Sequence, residues 1–356
     1  MRVIMLVDMD YFFVACEELR NKDIIGKPTV VGFDPKEGKG RGVVMTCNYE
    51  ARKFGIRSGM PISMAYRLKP DAIYLPLDYD WYEKVSKDVM SVIKERATKF
   101  EQVSVDEAFI DVSDKVTDFD EARIYARRIK DDIRSRIGLP CTIGVSYNKL
   151  LAKMACESAK PNGIGVVTES EAKAFLEGKS TDDLYGVGRK TKERLEAMGY
   201  RTVGELAKAN PMDMMEHFGA FGIELHDYAN GIDSSEVNEN YEIKSISREY
   251  TFERDTSSEK DVIGAIDRLA NEVIGDVKKN GFAFKVVTLK IRYSDFSEHL
   301  RSRSIRYSND VREIMNVCAQ LYRDNAEKER KVRKIGVRVS GFIKRKGQKS
   351  MEDFAK

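Results

Sequence analysis
At 356 residues and 42% hydrophobic content, the chain has room for two to four domains with real cores, at about 100–200 residues each. No run approaches the roughly 18 apolar residues of a membrane span, and no charged-then-apolar leader opens the chain, so a cytoplasmic protein with no membrane role is expected. The net charge is only +3; the five cysteines form no Cys-x-x-Cys and the three histidines (His217, His226, His299) no metal-ligand spacing, which argues against structural zinc, a disulfide framework and histidine-based acid–base chemistry.

Residues 3–7 form an apolar run too short and β-rich for a helix. They read as a strand buried on both faces, ending on Asp8 and Asp10. Asp10 precedes a helix-like stretch over 11–19 and reads as its N-cap, whereas Asp8 has no such role. Short strands follow at 28–33, 42–48 and 72–77, with a helical segment at 49–54. A helix over 79–98 leads to a β-like run, 100–105, that ends on Asp106 and Glu107 and resumes as a strand at 108–113. Successive strand residues face opposite sides, so both acids can share a site only if the backbone turns there, and a tight hairpin is expected. Helix 121–137, strand 141–146, helix 149–159 and strand 164–168 complete an αβ layer around the carboxylates. Residues 169–232 read as helical, interrupted by the turn Gly186-Val187-Gly188, and 233–243 as a polar linker. The remainder reads as strand 246–252, a helix with apolar Val262, Ile266, Leu269, Val273 and Val277, strands 284–293 and 300–307, a helix through Val311, Met315 and Cys318, and strand 333–342. That order, β-α-β-β-α-β, is the split βαβ arrangement.

Two strand ends carrying acids, drawn from distant parts of the chain, point to one site for hard divalent cations, because a buried carboxylate with no positive partner is costly. Tyr49 and Arg52 lie three apart on one face of a short helix, where the planar guanidinium suits a triphosphate. Lys160, where a helix must stop before Pro161, is a candidate second phosphate cation. The 184–192 segment resembles a helix-hairpin-helix: Gly186 and Gly188 let backbone amides approach a phosphate, and Lys190 and Lys192 add charge. Three late strands carry basic or hydroxyl residues at alternate positions: Thr288, Lys290 and Arg292; Arg301 and Arg303; Lys334, Arg338 and Ser340. They suggest an open sheet face suited to phosphate backbones. From Arg323 to Lys349 eleven Lys/Arg stand against three acids, again indicating a polyanionic partner.

The motifs V-D-M-D-Y-F-F, T-C-N-Y-E-A-R-K-F-G, V-S-V-D-E-A-F, A-K-P-N-G and Y-G-V-G together resemble the Y-family (translesion) DNA polymerases, most closely their archaeal-type, DinB-like branch, over essentially the whole chain. The resemblance implies an α+β multidomain right hand. Its parts would be a ferredoxin-like palm (1–11 and 78–168), fingers (12–77), a helical thumb (169–232), a linker (233–243), a little finger (244–343) and a basic tail (344–356). It implies Asp8, Asp106 and Glu107 as ligands of two Mg²⁺ ions, for which Mn²⁺ would substitute, assisted by the Met9 carbonyl. Tyr11, Phe12, Thr46, Tyr49, Arg52 and Lys160 would hold the triphosphate, and Phe13 would be the steric gate against ribonucleotides. The implied reaction is two-metal nucleotidyl transfer to a primer 3′-hydroxyl, with damage bypass, low fidelity and no proofreading. The implied partners of a monomeric, nucleoid-associated enzyme are primer–template DNA, dNTPs and a sliding clamp. Two residues depart from the family pattern: Met45, where a small side chain is usual over the nascent base pair, and Ala355, where a second aromatic would follow Gln348, Met351 and Phe354 of a clamp-binding tail. A nucleotidyl cyclase or a non-catalytic DNA-binding scaffold are the rival readings. The glycine hairpin and basic sheet argue against the first, and the complete set of acids against the second.

Overall fold
The computed structural model describes residues 1–239, 242–327 and 329–344. Its contacts divide the chain into two compact units, Met1–Asn240 and Tyr241–Lys356. In the first unit the elements run β1 (Ile4–Met9), α1 (Phe12–Arg20), β2 (Thr29–Gly32), β3 (Val44–Cys47), α2 (Tyr49–Arg52), α3 (Ile62–Leu68), β4 (Ile73–Leu75), α4 (Tyr79–Glu95), β5 (Lys99–Gln102), β6 (Glu107–Asp111), α5 (Phe119–Arg136), β7 (Cys141–Ser146), α6 (Lys149–Ala159) and β8 (Ile164–Val166). Five further helices follow, α7 (Ala172–Glu177), α8 (Arg189–Ala197), α9 (Val203–Leu206), α10 (Pro211–Phe218) and α11 (Ala220–Ala229).

The main sheet has the order β5-β6-β1-β7-β8, with β1 antiparallel to both neighbours. Strand alternation divides β1 between two cores. Met5, Val7 and Met9 join residues of α1, α4 and α5, while Ile4 and Leu6 meet Phe109 and, from α6, Ala152 and Cys156. Asp8 has the parity of Ile4 and Leu6, so its side chain emerges on the α6 side. Two glycines let α6 lie directly on the sheet: a Cβ at Gly144 would be 1.9 Å from the Ala152 carbonyl oxygen, and one at Gly165 2.2 Å from that of Ala155. A small sheet, β3-β2-β4, has its own core of Val30, Val44, Ile56 and Ile62. Helices α7–α11 bury Leu176, Leu195, Leu206, Met214 and Leu225.

Within the segment 233–243, read from the sequence as a polar linker, residues 233–239 form no helix or strand but are docked. Val237 is buried against Ile4 and Leu6, the Asn238 amide donates to Glu101 Oε2 at 2.9 Å, and Asp233 accepts from the Leu150 amide at 3.0 Å.

The second unit contains β9 (Ser245–Thr256), α12 (Glu259–Lys279), β10 (Phe282–Tyr293), β11 (Glu298–Ser308), α13 (Val311–Asn325), β12 (Val332–Ser340) and β13 (Ile343–Lys344). The sheet order is β11-β10-β12-β9, and β13 pairs with β10. Both helices cover one face, over Val287, Leu289, Ile335 and Val337. On the other face, register sets Thr288, Lys290 and Arg292 opposite Arg338, Gly336 and Lys334. Arg301 and Arg303 correct the sequence expectation. They pair with Leu289 and Val287, which puts them on the helix-covered face, where they bond Asn325 (3.1 Å) and Gln320 (2.6 Å) of α13. The register of the β10–β11 hairpin decides which parity faces out, and a one-residue offset exchanges the faces.

Candidate active site
The strand that carries Asp8 and the hairpin that carries Asp106 and Glu107 are neighbours. Asp8 lies directly opposite Glu107 across the β1–β6 ladder. Residues 103–106 form the turn, earlier than the expected strand end at 105, because the Ser104 hydroxyl accepts from the amides of Asp106 (3.2 Å) and Glu107 (3.0 Å). Asp106 sits at the end of that turn, and its carbonyl accepts from the Met9 amide at 2.9 Å. The backbone thus turns where the two acids needed it to.

Helix α6 and its C-cap residue, Lys160, supply the countercharge. Lys153 Nζ lies 2.9 Å from both carboxylate oxygens of Glu107. Lys160 Nζ bonds Asp8 Oδ2 at 2.8 Å and Glu157 Oε1 at 2.7 Å. Burial pushes Asp8 well above the usual carboxylate range, and Lys160 only partly offsets it. Burial also raises Asp106, against the pull of its Ser104 hydrogen bond. Burial would raise Glu107, but Lys153, with Asp8 and Lys160, brings it below the usual glutamate range. Asp8, Glu107 and Glu157 present ligand oxygens within 4.8 Å of one another. An all-carboxylate set that runs from buried Asp8 through half-buried Glu107 to exposed Glu157, balanced by ammonium groups, fits a hard divalent cation. Lys153 and Glu157 were missed in the sequence, although Lys153, Glu157 and Lys160 recur at helical spacing on one face.

Asp10 is not the cap of α1. Tyr11 occupies the N-cap position, in the left-handed region (φ 39°, ψ 45°), and no side chain caps the helix. Asp10 is buried instead and accepts from the Thr142 hydroxyl (2.9 Å) and the Asn162 amide (2.8 Å), with the Tyr49 hydroxyl at 3.5 Å. It ties the end of β1 to the loop that presents Lys160.

Among the residues expected to hold a triphosphate, the Arg52 guanidinium stacks over the Tyr49 ring at 4.5 Å, and Tyr49 meets Tyr11 edge-on at 5.7 Å. Thr46 is half-buried on β3, opposite Val31, and Met45 beside it is also half-buried. Phe13 stacks on the buried Tyr82 at 4.7 Å, whose hydroxyl bonds Glu17 at 2.8 Å. The Phe12 side chain is buried in the core, so only its backbone can meet a ligand.

Gly188 is the N-cap of α8, and Gly186 has φ 88°. A cleft of about 520 Å³ separates this turn from α6, with Lys153, Glu157, Asp182, Tyr185 and Gly186 among its walls. Lys192 is held by Asp182 at 2.9 Å, while Lys190 is exposed and makes no ion pair among the described residues. Gln348, Met351 and Phe354 lie outside the described residues. Among those described, no helix is long and apolar enough to cross a membrane.

Comparison with known proteins places this geometry. The impB/mucB/samB family matches residues 7–157, its C-terminal domain residues 243–352, and a DNA polymerase-iota thumb domain residues 182–233. The chain is 42% identical over 345 residues to DNA polymerase IV 2 of Methanosarcina mazei, covering 97% of this chain and 93% of that protein. It is 37% identical to DNA polymerase IV of Streptococcus pneumoniae, covering 96% and 97%. A solved Y-family DNA polymerase chimera of Dbh and Dpo4 matches with a TM-score of 0.89 at 32% identity, over 96% of this chain and 99% of that one. An insertion ternary complex of Dbh DNA polymerase matches with a TM-score of 0.68 at 31% identity, over the same shares. The chain belongs to the impB/mucB/samB family of Y-family DNA polymerases. It is therefore a DNA-directed DNA polymerase with the helix-hairpin-helix thumb and C-terminal little finger of that fold.

Proposed function
We propose that the chain adds dNTPs to a primer 3′-hydroxyl opposite a DNA template, including damaged template, with Asp8, Asp106 and Glu107 as its metal-binding acids. The observation that carries this is the Asp8–Glu107 pair facing each other across β1 and β6 on the α6 side, with Asp106 on the same hairpin. Two divalent ions, Mg²⁺ with Mn²⁺ as substitute, would activate the primer hydroxyl and neutralise the triphosphate and leaving pyrophosphate. The Met9 carbonyl stands at the end of the same strand. Tyr11, Thr46, Tyr49, Arg52 and Lys160, with the Phe12 backbone, would orient the triphosphate, so that positioning and electrostatics supply most of the rate. Phe13, pinned by Tyr82, would exclude a 2′-hydroxyl. We read residues 1–11 and 78–168 as palm, 12–77 as fingers, 169–232 as thumb and 244–343 as little finger. Gly186, Gly188 and Lys190 would meet DNA phosphates, and the outward face of β9, β10 and β12 would track a DNA backbone. The enzyme would act as a cytoplasmic monomer that engages a sliding clamp through Gln348, Met351 and Phe354.

Primer extension with Mg²⁺ and four dNTPs tests the assignment. Asp106→Ala and Glu107→Ala should each abolish incorporation while leaving primer–template binding within a few-fold. Extension near the wild-type rate in either variant would overturn the metal-ligand reading.

A further inference from the structure
The open face of the second unit's sheet carries a chain of ion pairs that crosses all four long strands. Glu249 on β9 bonds Lys334 of β12 at 2.8 Å and Lys290 of β10 at 2.9 Å. Lys290 also reaches Glu298 of β11 at 3.1 Å, and Glu298 accepts from Arg292 Nε at 2.8 Å. Gly336 makes the crossing possible. It lies between Lys290 and Glu249 in register, and a Cβ there would stand 3.2 Å from both Glu249 Cγ and Lys290 Cβ. Of the cations Lys290, Arg292, Lys334 and Arg338, only Arg338 makes no ion pair among the described residues, and it is exposed.

Half-exposed pairs of this kind add little to stability. Their effect on charge is larger, because each shared ammonium or guanidinium already faces a carboxylate that a phosphate would have to displace. We infer that Glu249 and Glu298 are internal counterions of a DNA-binding face. They keep its cations aligned, occupy the positions phosphates would take, and so hold affinity for duplex DNA below what four cations would give. The inference rests on the reading of this face as one that tracks a DNA backbone. It implies contacts that let go readily between nucleotide additions.

The test is fluorescence anisotropy of the full-length protein with a labelled primer–template between 50 and 200 mM KCl. Glu249→Gln and Glu298→Gln, on opposite edge strands, should each tighten binding several-fold at 50 mM. Each should also steepen the log–log salt slope by about one, equivalent to a further loss of roughly 3.5-fold in affinity across that range. Arg338→Ala should weaken binding and flatten the slope by about one, equally on DNA of different sequences. If Arg338→Ala weakens binding but neither glutamate variant tightens it, the counterion role is wrong while the DNA face stands. If Arg338→Ala and Lys334→Ala both bind like wild type, the DNA face itself is wrong.

Discussion
At Asp10 one carboxylate gathers groups from three segments: the Thr142 hydroxyl, the Asn162 amide and the Tyr49 hydroxyl. Removing a buried acceptor leaves those donors without a partner, so Asp10→Ala should destabilise the first unit by on the order of 3 kcal/mol, measurable by urea unfolding. Because the Asn162 bond anchors the loop carrying Lys160, the apparent dNTP affinity should fall as well. The sequence pointed to Asp10 as a cap because a helix follows at once. Its true partners stand 132 and 152 residues away, beyond the reach of local patterning. Asp8, Asp106 and Glu107 were legible for the opposite reason, since a charge that ends an apolar strand conflicts with its own neighbours. Phe13→Ala should admit ribonucleotides, because the ring held against Tyr82 is the bulk that would meet a 2′-hydroxyl; single-turnover incorporation of rNTP against dNTP reads this out.

Helix α6 shows what element-scale packing adds. Its limits, Lys149–Ala159, could be read from the Asn148 cap and from Pro161 beyond its end. The spacing of Lys153, Glu157 and Lys160 could be read too, but not what they face, which depends on how closely the helix approaches the sheet. Gly144 sets that distance. Gly144→Ala should cost about 3 kcal/mol or more, because the added carbon meets a backbone oxygen that no rotamer change can move. Thermal unfolding measures the loss. The parity of Arg301 and Arg303 was hidden in the same way: alternation says that residues share a face, and the turn before them decides which one. A register is a property of two strands, and one strand's sequence does not contain it.

Countercharges face acids in both units, Lys153 and Lys160 in the first and Lys290 and Lys334 in the second, and even pairs that add little stability give it a pH dependence of definite sign. Burial alone would raise Glu249 and Glu298, but their bonds to Lys290, Lys334 and Arg292 hold both below the ordinary glutamate value of 4.5. Their contribution is therefore complete above that value and fades as pH falls through the lower, folded one. The melting temperature should drop on acidification below about pH 5, and drop less in the Glu249→Gln/Glu298→Gln double variant. If the tail engages a clamp as proposed, deleting residues 348–356 should remove stimulation by the host's clamp on primed circular DNA and leave unstimulated synthesis intact. The Lys160 ammonium has a consequence of its own. It binds Asp8 and Glu157, and under the proposed reading an incoming triphosphate that drew it away would free oxygen ligands for a divalent ion. Ion and nucleotide would then be thermodynamically linked, each raising the other's affinity by the same factor. Lys160→Met should bind Mn²⁺ more tightly than wild type without nucleotide, as read by paramagnetic resonance titration, and should lose the mutual enhancement. An enzyme wired this way would assemble its full charge only around a substrate and stay electrostatically quiet between substrates.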